Sequence, residues 1–183
     1  MPSPVGHAIA GVAIALAAEP ALRRRRVPMY FQTAVFVLAA LAALPDADLL
    51  YPPLHRAVTH SVGSALVVLI IATVVTGWVT GKRALHFGLL CGLAWASHIL
   101  LDWLGADPTP PRGIKALWPF SDQWFISGVD LFRGTERRHL FTTASVVYNL
   151  KAVAQEVAIL APIPFFIASW RARRRSRPPA DAS

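Results

Sequence analysis

Long apolar runs dominate this chain, and they restrict its folding more than any other feature. They cover Val5 to Leu22, Met29 to Leu44, Val62 to Thr80, Leu85 to Leu104 and Val153 to Trp170. Crossing the hydrocarbon of a bilayer takes a helix of about 20 apolar residues, within a range of roughly 17 to 25. The first two runs sit at the short end of that range, so tilt or flanking turns would have to complete them. In hydrocarbon, a helix bonds all its own backbone groups within one segment. The runs therefore predict an all-α fold, a polytopic membrane helix bundle with about five transmembrane helices. Composition agrees: 55% of the 183 residues are hydrophobic and 15% are charged, against roughly 25% charged in soluble domains. The single cysteine, Cys91, excludes an intrachain disulfide and a cysteine-based zinc site. No basic segment precedes the first run and no convincing cleavage site follows it. It reads as a retained helix rather than a signal peptide. Residues 1–170 are expected to form one membrane-embedded domain, and residues 171–183 a basic, disordered cytoplasmic tail.

The formal net charge is +8, with a pI near 10.8. Such a balance can signal nucleic acid, but here the basic residues flank the apolar runs. They cluster at Arg23 to Arg26, Lys82-Arg83 and Arg171 to Arg177. Clusters so placed set membrane orientation, with the basic side cytoplasmic, and no nucleic-acid partner is expected. With all of them in the cytoplasm the spans alternate without conflict. Pro45 to Ser61 and Gly105 to Lys151 then face the periplasm or exterior. The second of these segments holds Trp118, Phe120, Trp124 and Phe125, which suit a membrane surface. Single cysteines at Ala57 and Arg83, in a Cys91→Ser chain, test the topology with an impermeant thiol reagent on intact cells. Ala57→Cys is expected to label and Arg83→Cys to stay unmodified; the reverse pattern inverts the topology.

This topology gathers ionisable residues on one side. His7 falls near the outer end of the first span, and Asp46 and Asp48 follow the outer end of the second. His55 and His60 precede the third, and His98 and Asp102 occupy the last turns of the fourth. Residues i and i+4 share a helix face, so His98 and Asp102 can reach one ion. Asp46 and Asp48 flank Ala47 in an extended or turning stretch, where alternate residues can face one side. Imidazole nitrogen with carboxylate oxygen suits zinc, manganese or iron. Ionisable groups near the end of a span are costly to bury and point to function. Other polar residues read differently. His86 reads as a satisfied interior group, and Glu156 as the partner of a basic residue or the cap of a polar cluster. Arg137-Arg138-His139 reads as a solvated stretch facing headgroups.

The same residues fall in ordered motifs. His7 is followed by Pro45-Asp46-Ala47-Asp48, then by His55-Arg56-Ala57-Val58-Thr59-His60-Ser61. Ser97-His98-Ile99-Leu100-Leu101-Asp102 and Leu117-Trp118-Pro119-Phe120-Ser121 come next. In these motifs the chain resembles the bacterial YdjM-type inner-membrane metal-dependent hydrolases, from about His7 to Ser121. That family is distantly similar to the zinc-dependent phospholipase C and P1 nuclease group of helical phosphoesterases. The resemblance implies one metal held by Asp48, His60, His98 and Asp102, with Asp46 competing for the place of Asp48. It implies a second metal on His7 that shares Asp102, and contacts from His55 and Arg56 to a substrate phosphate. The chain departs from the phosphoesterase group at its second His-x-x-x-Glu helix, since neither His139 nor Glu156 has such a partner.

The function expected from all this is hydrolysis of a phosphoester, small-molecule or lipid, at the outer face of the inner membrane. Divalent metal ions are the expected cofactors, zinc before manganese or iron. One alternative is a non-enzymatic membrane protein with a structural metal. Another is an ion- or proton-coupled transporter, with His98, Asp102 and Glu156 spread through the membrane depth.

Overall fold

The structure, a computed structural model, describes residues 1–24, 31–51, 55–81, 84–137 and 139–175. Expectations resting on Arg25, Arg26, Lys82, Arg83, Arg138 and the tail from residue 176 lie outside the described residues. The described chain is helical: α1 (Pro4–Arg24), α2 (Phe31–Ala43), a 3-10 helix (Leu44–Leu50), α3 (Val62–Thr80), α4 (Leu85–Leu104), α5 (Thr143–Leu160) and α6 (Pro162–Arg175). Five segments are long and apolar enough to cross a membrane. The short second run is completed by the 3-10 helix, which carries that span to Leu50.

The last span differs from its expected bounds. α5 starts at Thr143, well before Val153, because Thr142 caps it: the Thr142 hydroxyl accepts from the Ser145 amide at 3.2 Å. Asn149, Lys151 and Gln155 dilute the hydropathy of its first turns, which hid them among the polar residues. The helix breaks at Ala161. Pro162 and Pro164 have no amide hydrogen, so the carbonyls one turn back lose their partners. α6 then runs through Arg175 and takes in the start of the basic tail. Arg171 on it pairs with Glu19 at 3.1 Å and donates to the Ala17 carbonyl at 2.7 Å, tying the last span to the first.

α4 is the axis of the bundle. Its apolar window is 56% buried, against 11% for α3. α4 packs on α1, α2 and α3, while α5 and α6 pack on α1. The seam between α1, α2 and α4 is built from Ala15, Ala34, Leu38, Ala42, Cys91 and Ala94. Lipid tails are as apolar as leucine, so helices associate here by close van der Waals fit, and small residues permit it. Gly11 shows how tight the fit is: a Cβ there would run into the Leu38 backbone. α3 turns Leu66, Ile70, Val74 and Trp78 outward. In water such a surface marks an unfilled interface; in a bilayer it faces its natural solvent. His86 is exposed on the first turn of α4 rather than interior, and stands apart from the other helix-borne histidines.

The packing brings the start of α1, the 3-10 helix, the start of α3 and the end of α4 to one end of the bundle. Residues 55–61 and 105–137 close over that end.

Candidate metal centre

The segment carrying His55 and His60 is held from several sides. Trp95 on α4 donates from its indole nitrogen to the Thr59 carbonyl at 2.8 Å and to the Ser64 hydroxyl at 2.9 Å. Ser61 caps α3, accepting from the Ser64 amide at 3.2 Å. The Val62 and Gly63 amides donate to the carbonyls of Ala116 and Trp118 at 2.8 and 3.0 Å. A helix start leaves its first amides unpaired, so the stretch Ala116 to Trp118 completes α3. His60, one residue before the cap, is thereby fixed against the end of α4.

There it meets His98 and Asp102. Nε2 of His60 and Nε2 of His98 are 3.1 Å apart, and each is 3.2 Å from Oδ2 of Asp102. Oδ1 of Asp46 is 4.0 Å from both nitrogens. Two ligands of a tetrahedral zinc ion, at about 2.0–2.1 Å from it, stand about 3.3–3.4 Å apart. These atoms are spaced like such a set, with Asp46 slightly withdrawn. His7 stacks on His98 with ring centroids 3.6 Å apart. Its Nε2 is 3.4 Å from Oδ1 of Asp102 and 4.0 Å from Oδ2 of Asp46. Each carboxylate thus turns one oxygen to the His60–His98 pair and the other to His7.

The outer hydrogen bonds decide where the ring protons go. Nδ1 of His98 is 2.8 Å from the Ala42 carbonyl, which only accepts, so Nδ1 carries the proton and Nε2 a lone pair. Nδ1 of His60 faces Oδ2 of Asp48 at 3.2 Å and the Thr59 hydroxyl at 3.0 Å, which favours the same tautomer. Two lone pairs and two carboxylates then point at one spot. His7, His60, His98 and Asp102 are fully buried, at 0% exposure. Among the described residues, both side-chain nitrogens of His7 and all four side-chain oxygens of Asp46 and Asp102 lack a hydrogen-bond partner. The short His–Asp distances lack hydrogen-bonding angles. A buried polar atom left unpaired costs about 1–3 kcal/mol, more when charged, and a divalent cation would satisfy those that converge, Nδ1 of His7 excepted. Burial alone would lower the pKa of His60, but the Asp102 and Asp48 carboxylates outweigh it and raise it to about 9. Without a cation the cluster therefore holds a proton on His60, and a metal ion binding there would displace that proton to free the Nε2 lone pair.

Asp46 and Asp48 do not share a face. A 3-10 helix has three residues per turn, so positions i and i+2 diverge by about 120°. An extended strand would have aligned them. Asp46 turns to the cluster, and Asp48 turns behind it. Asp48 takes the Thr59 hydroxyl, sits 2.6 Å from Nδ1 of His55, and braces the outer edge of His60. Relative to the ligand set implied by resemblance, the two aspartates stand in each other's places. Asp48, His55 and His60 are also within metal-ligand reach of one another, but there Asp48 already has hydrogen-bond donors.

Other expectations resolve in the same region. Arg56 pairs with Asp107, and its carbonyl accepts from the Lys115 amide at 3.0 Å, so it braces the loop over the site. The arginine that reaches the cluster is Arg137. One of its terminal nitrogens, Nη2, is 3.4 Å from Oδ1 of Asp46, and the other, Nη1, is 3.1 Å from Nε2 of His55. This corrects the reading of Arg137 as part of a solvated, headgroup-facing stretch: its side chain is turned in to partners distant in sequence. Glu156 is fully buried and caps a polar cluster. It accepts from the Ser3 amide at 2.8 Å and from the Ser3 hydroxyl, and Ser3 stands at the start of α1, one turn before His7.

A helical membrane bundle with a buried histidine–carboxylate cluster at one end is the class that fold and site define. The chain belongs to the YdjM inner membrane protein family, whose model matches residues 1–175. Comparison with curated proteins and with solved structures finds no match.

Proposed function

We propose that the chain is a membrane-bound, metal-dependent hydrolase of a phosphoester, working at the outer headgroup level. The observation that carries this is the convergence of Asp46 and Asp102, whose oxygens lack hydrogen bonds, with the imidazoles of His7, His60 and His98. A divalent ion held there supplies an activated water and offsets charge developing on a phosphoryl group. The chain's own residues do the rest. Asp48 and the Ala42 carbonyl hold the imidazoles in the lone-pair-inward tautomer. Arg137 places a cationic edge beside Asp46, where phosphate oxygens would arrive, and Asp48 orients His55 next to it. Arg56 holds the covering loop. Transport is less well supported: His98 and Asp102 lie at one end of the bundle, and Glu156 is spent on capping α1 at that same end. The full burial of His7, His60, His98 and Asp102 also suits a structural metal, and turnover separates the two readings.

The test is elemental analysis of detergent-purified protein, with hydrolysis of bis(p-nitrophenyl) phosphate in zinc, manganese or iron. Wild type is expected to carry metal and turn over. His98→Gln is expected to lose both by more than tenfold at an unchanged elution volume. Metal-free wild type would overturn the metal centre, and metal without turnover would leave the structural reading.

A further inference from the structure

Beside the cluster lies a cavity of about 1110 Å³, slightly above the roughly 300–1,000 Å³ usual for small-ligand sites. It is lined by none of the five cluster residues but by His55 and Arg137, and Arg137 reaches from its wall to Asp46, so the cavity is separated from the cluster by those two side chains. Its lining is mixed. The covering segments contribute Arg56 and Arg112 but also the acidic Asp107, Asp130 and Glu136, with Asp107 already paired to Arg56. The helices contribute Leu49 of the 3-10 helix and Ala144 and Tyr148 of α5. Both of those elements belong to membrane-crossing segments, Phe31–Leu50 and Thr143–Arg174. The 3-10 helix packs on α2 and α4, and α5 on α1 and α6, so the cavity occupies the gap between two separately anchored elements.

The rim shows what the gap faces. Next to Leu49, Leu50 is 91% exposed; shortly before Ala144, Phe141 is 99% exposed. Apolar surface left in water costs about 25 cal/mol per Å², and large side chains so bare on both sides of one mouth belong in hydrocarbon. A mouth opening sideways into lipid would give both their natural solvent.

We propose that this cavity is a lateral portal for a membrane lipid. The phosphate-bearing headgroup lies against Arg137 and His55, and the acyl chains stay in the bilayer between Leu49 and Tyr148. What becomes of the headgroup rests on the hydrolase reading; its binding does not. Phosphate is common to lipid and soluble esters, so the test separates the two.

Protein in phosphatidylcholine vesicles is photolysed with a phosphatidate carrying a diazirine on its acyl chain, and adducts are mapped by mass spectrometry. Adducts are expected on Leu49 to Tyr51 and on Phe141 to Tyr148. Excess unlabelled phosphatidate should reduce them at least fivefold, and glycerol 3-phosphate should not. Ala144→Trp fills the mouth and should remove them tenfold, while labelling of Ile70 and Val74 on α3 persists as a measure of bulk lipid. Leu49→Trp, from the opposite wall, repeats the test if Ala144→Trp elutes as aggregate. Adducts spread evenly over α3 and α5, or equal competition by glycerol 3-phosphate, would overturn the portal. Mouth adducts without turnover of any phosphoester would sink the hydrolase reading and keep the portal. Turnover of a soluble diester without mouth adducts would do the reverse.

Discussion

Asp102→Asn is expected to lower bound metal and turnover together, each by more than tenfold. Oδ2 of Asp102 is 3.2 Å from both Nε2 of His60 and Nε2 of His98, and its Oδ1 is 3.4 Å from Nε2 of His7. Asparagine keeps the size but removes the charge, and it turns an amide group toward atoms arranged to hold a cation. Asp46 would then be the remaining anion at the centre. Were His98 and Asp102 merely a structural pair, asparagine would still accept a hydrogen bond and little would change. Glu156→Gln is the matched control: its partners are the Ser3 amide and hydroxyl, so metal is expected to stay. Metal per chain, measured after size-exclusion chromatography, decides. Equal metal in wild type and both variants would remove Asp102 from the centre.

The second large effect separates Asp46 from Asp48. Asp46→Ala is expected to lower metal stoichiometry even at saturation, because Asp46 faces the His60–His98 pair on one side and His7 on the other. Asp48→Ala removes a group that orients ligands. Losses of that kind weaken metal affinity by about 10–100-fold without removing the site. Zinc titration against a competing chelator reads both quantities. The ligand set implied by resemblance gives the opposite order, so the titration discriminates directly.

How much of this was legible in the sequence varies with the physics of each part. The spans of α3 and α4 could be read to the residue, because apolar runs bounded by polar turns define them. The gathering of His7, His60, His98 and Asp102 followed from alternation of spans alone, without any contact being known. The start of α5 was hidden because a helix covered partly by loop and neighbours tolerates Asn149, Lys151 and Gln155. The division of labour between Asp46 and Asp48 depended on a 3-10 turn instead of a strand, a distinction that Leu44-Pro45-Asp46-Ala47-Asp48 does not carry. Arg56 drew attention for its neighbours in the motif, yet Asp107 occupies it. Arg137 read as part of a solvated basic stretch, since its contacts exist only once residues distant in the chain are brought together.

The capping of α1 by Glu156 sets an order of assembly. His7 is the first member of the centre to leave the ribosome, and the carboxylate that pins the start of its helix is on the last span to do so. Until α5 inserts, the Ser3 amide and hydroxyl lack the carboxylate they donate to, although α1 can already pack on α2 and α4. His60, His98 and Asp102 can meet earlier, once α4 is in place. A chain stopped before residue 143 would lack the carboxylate that holds the turn before His7.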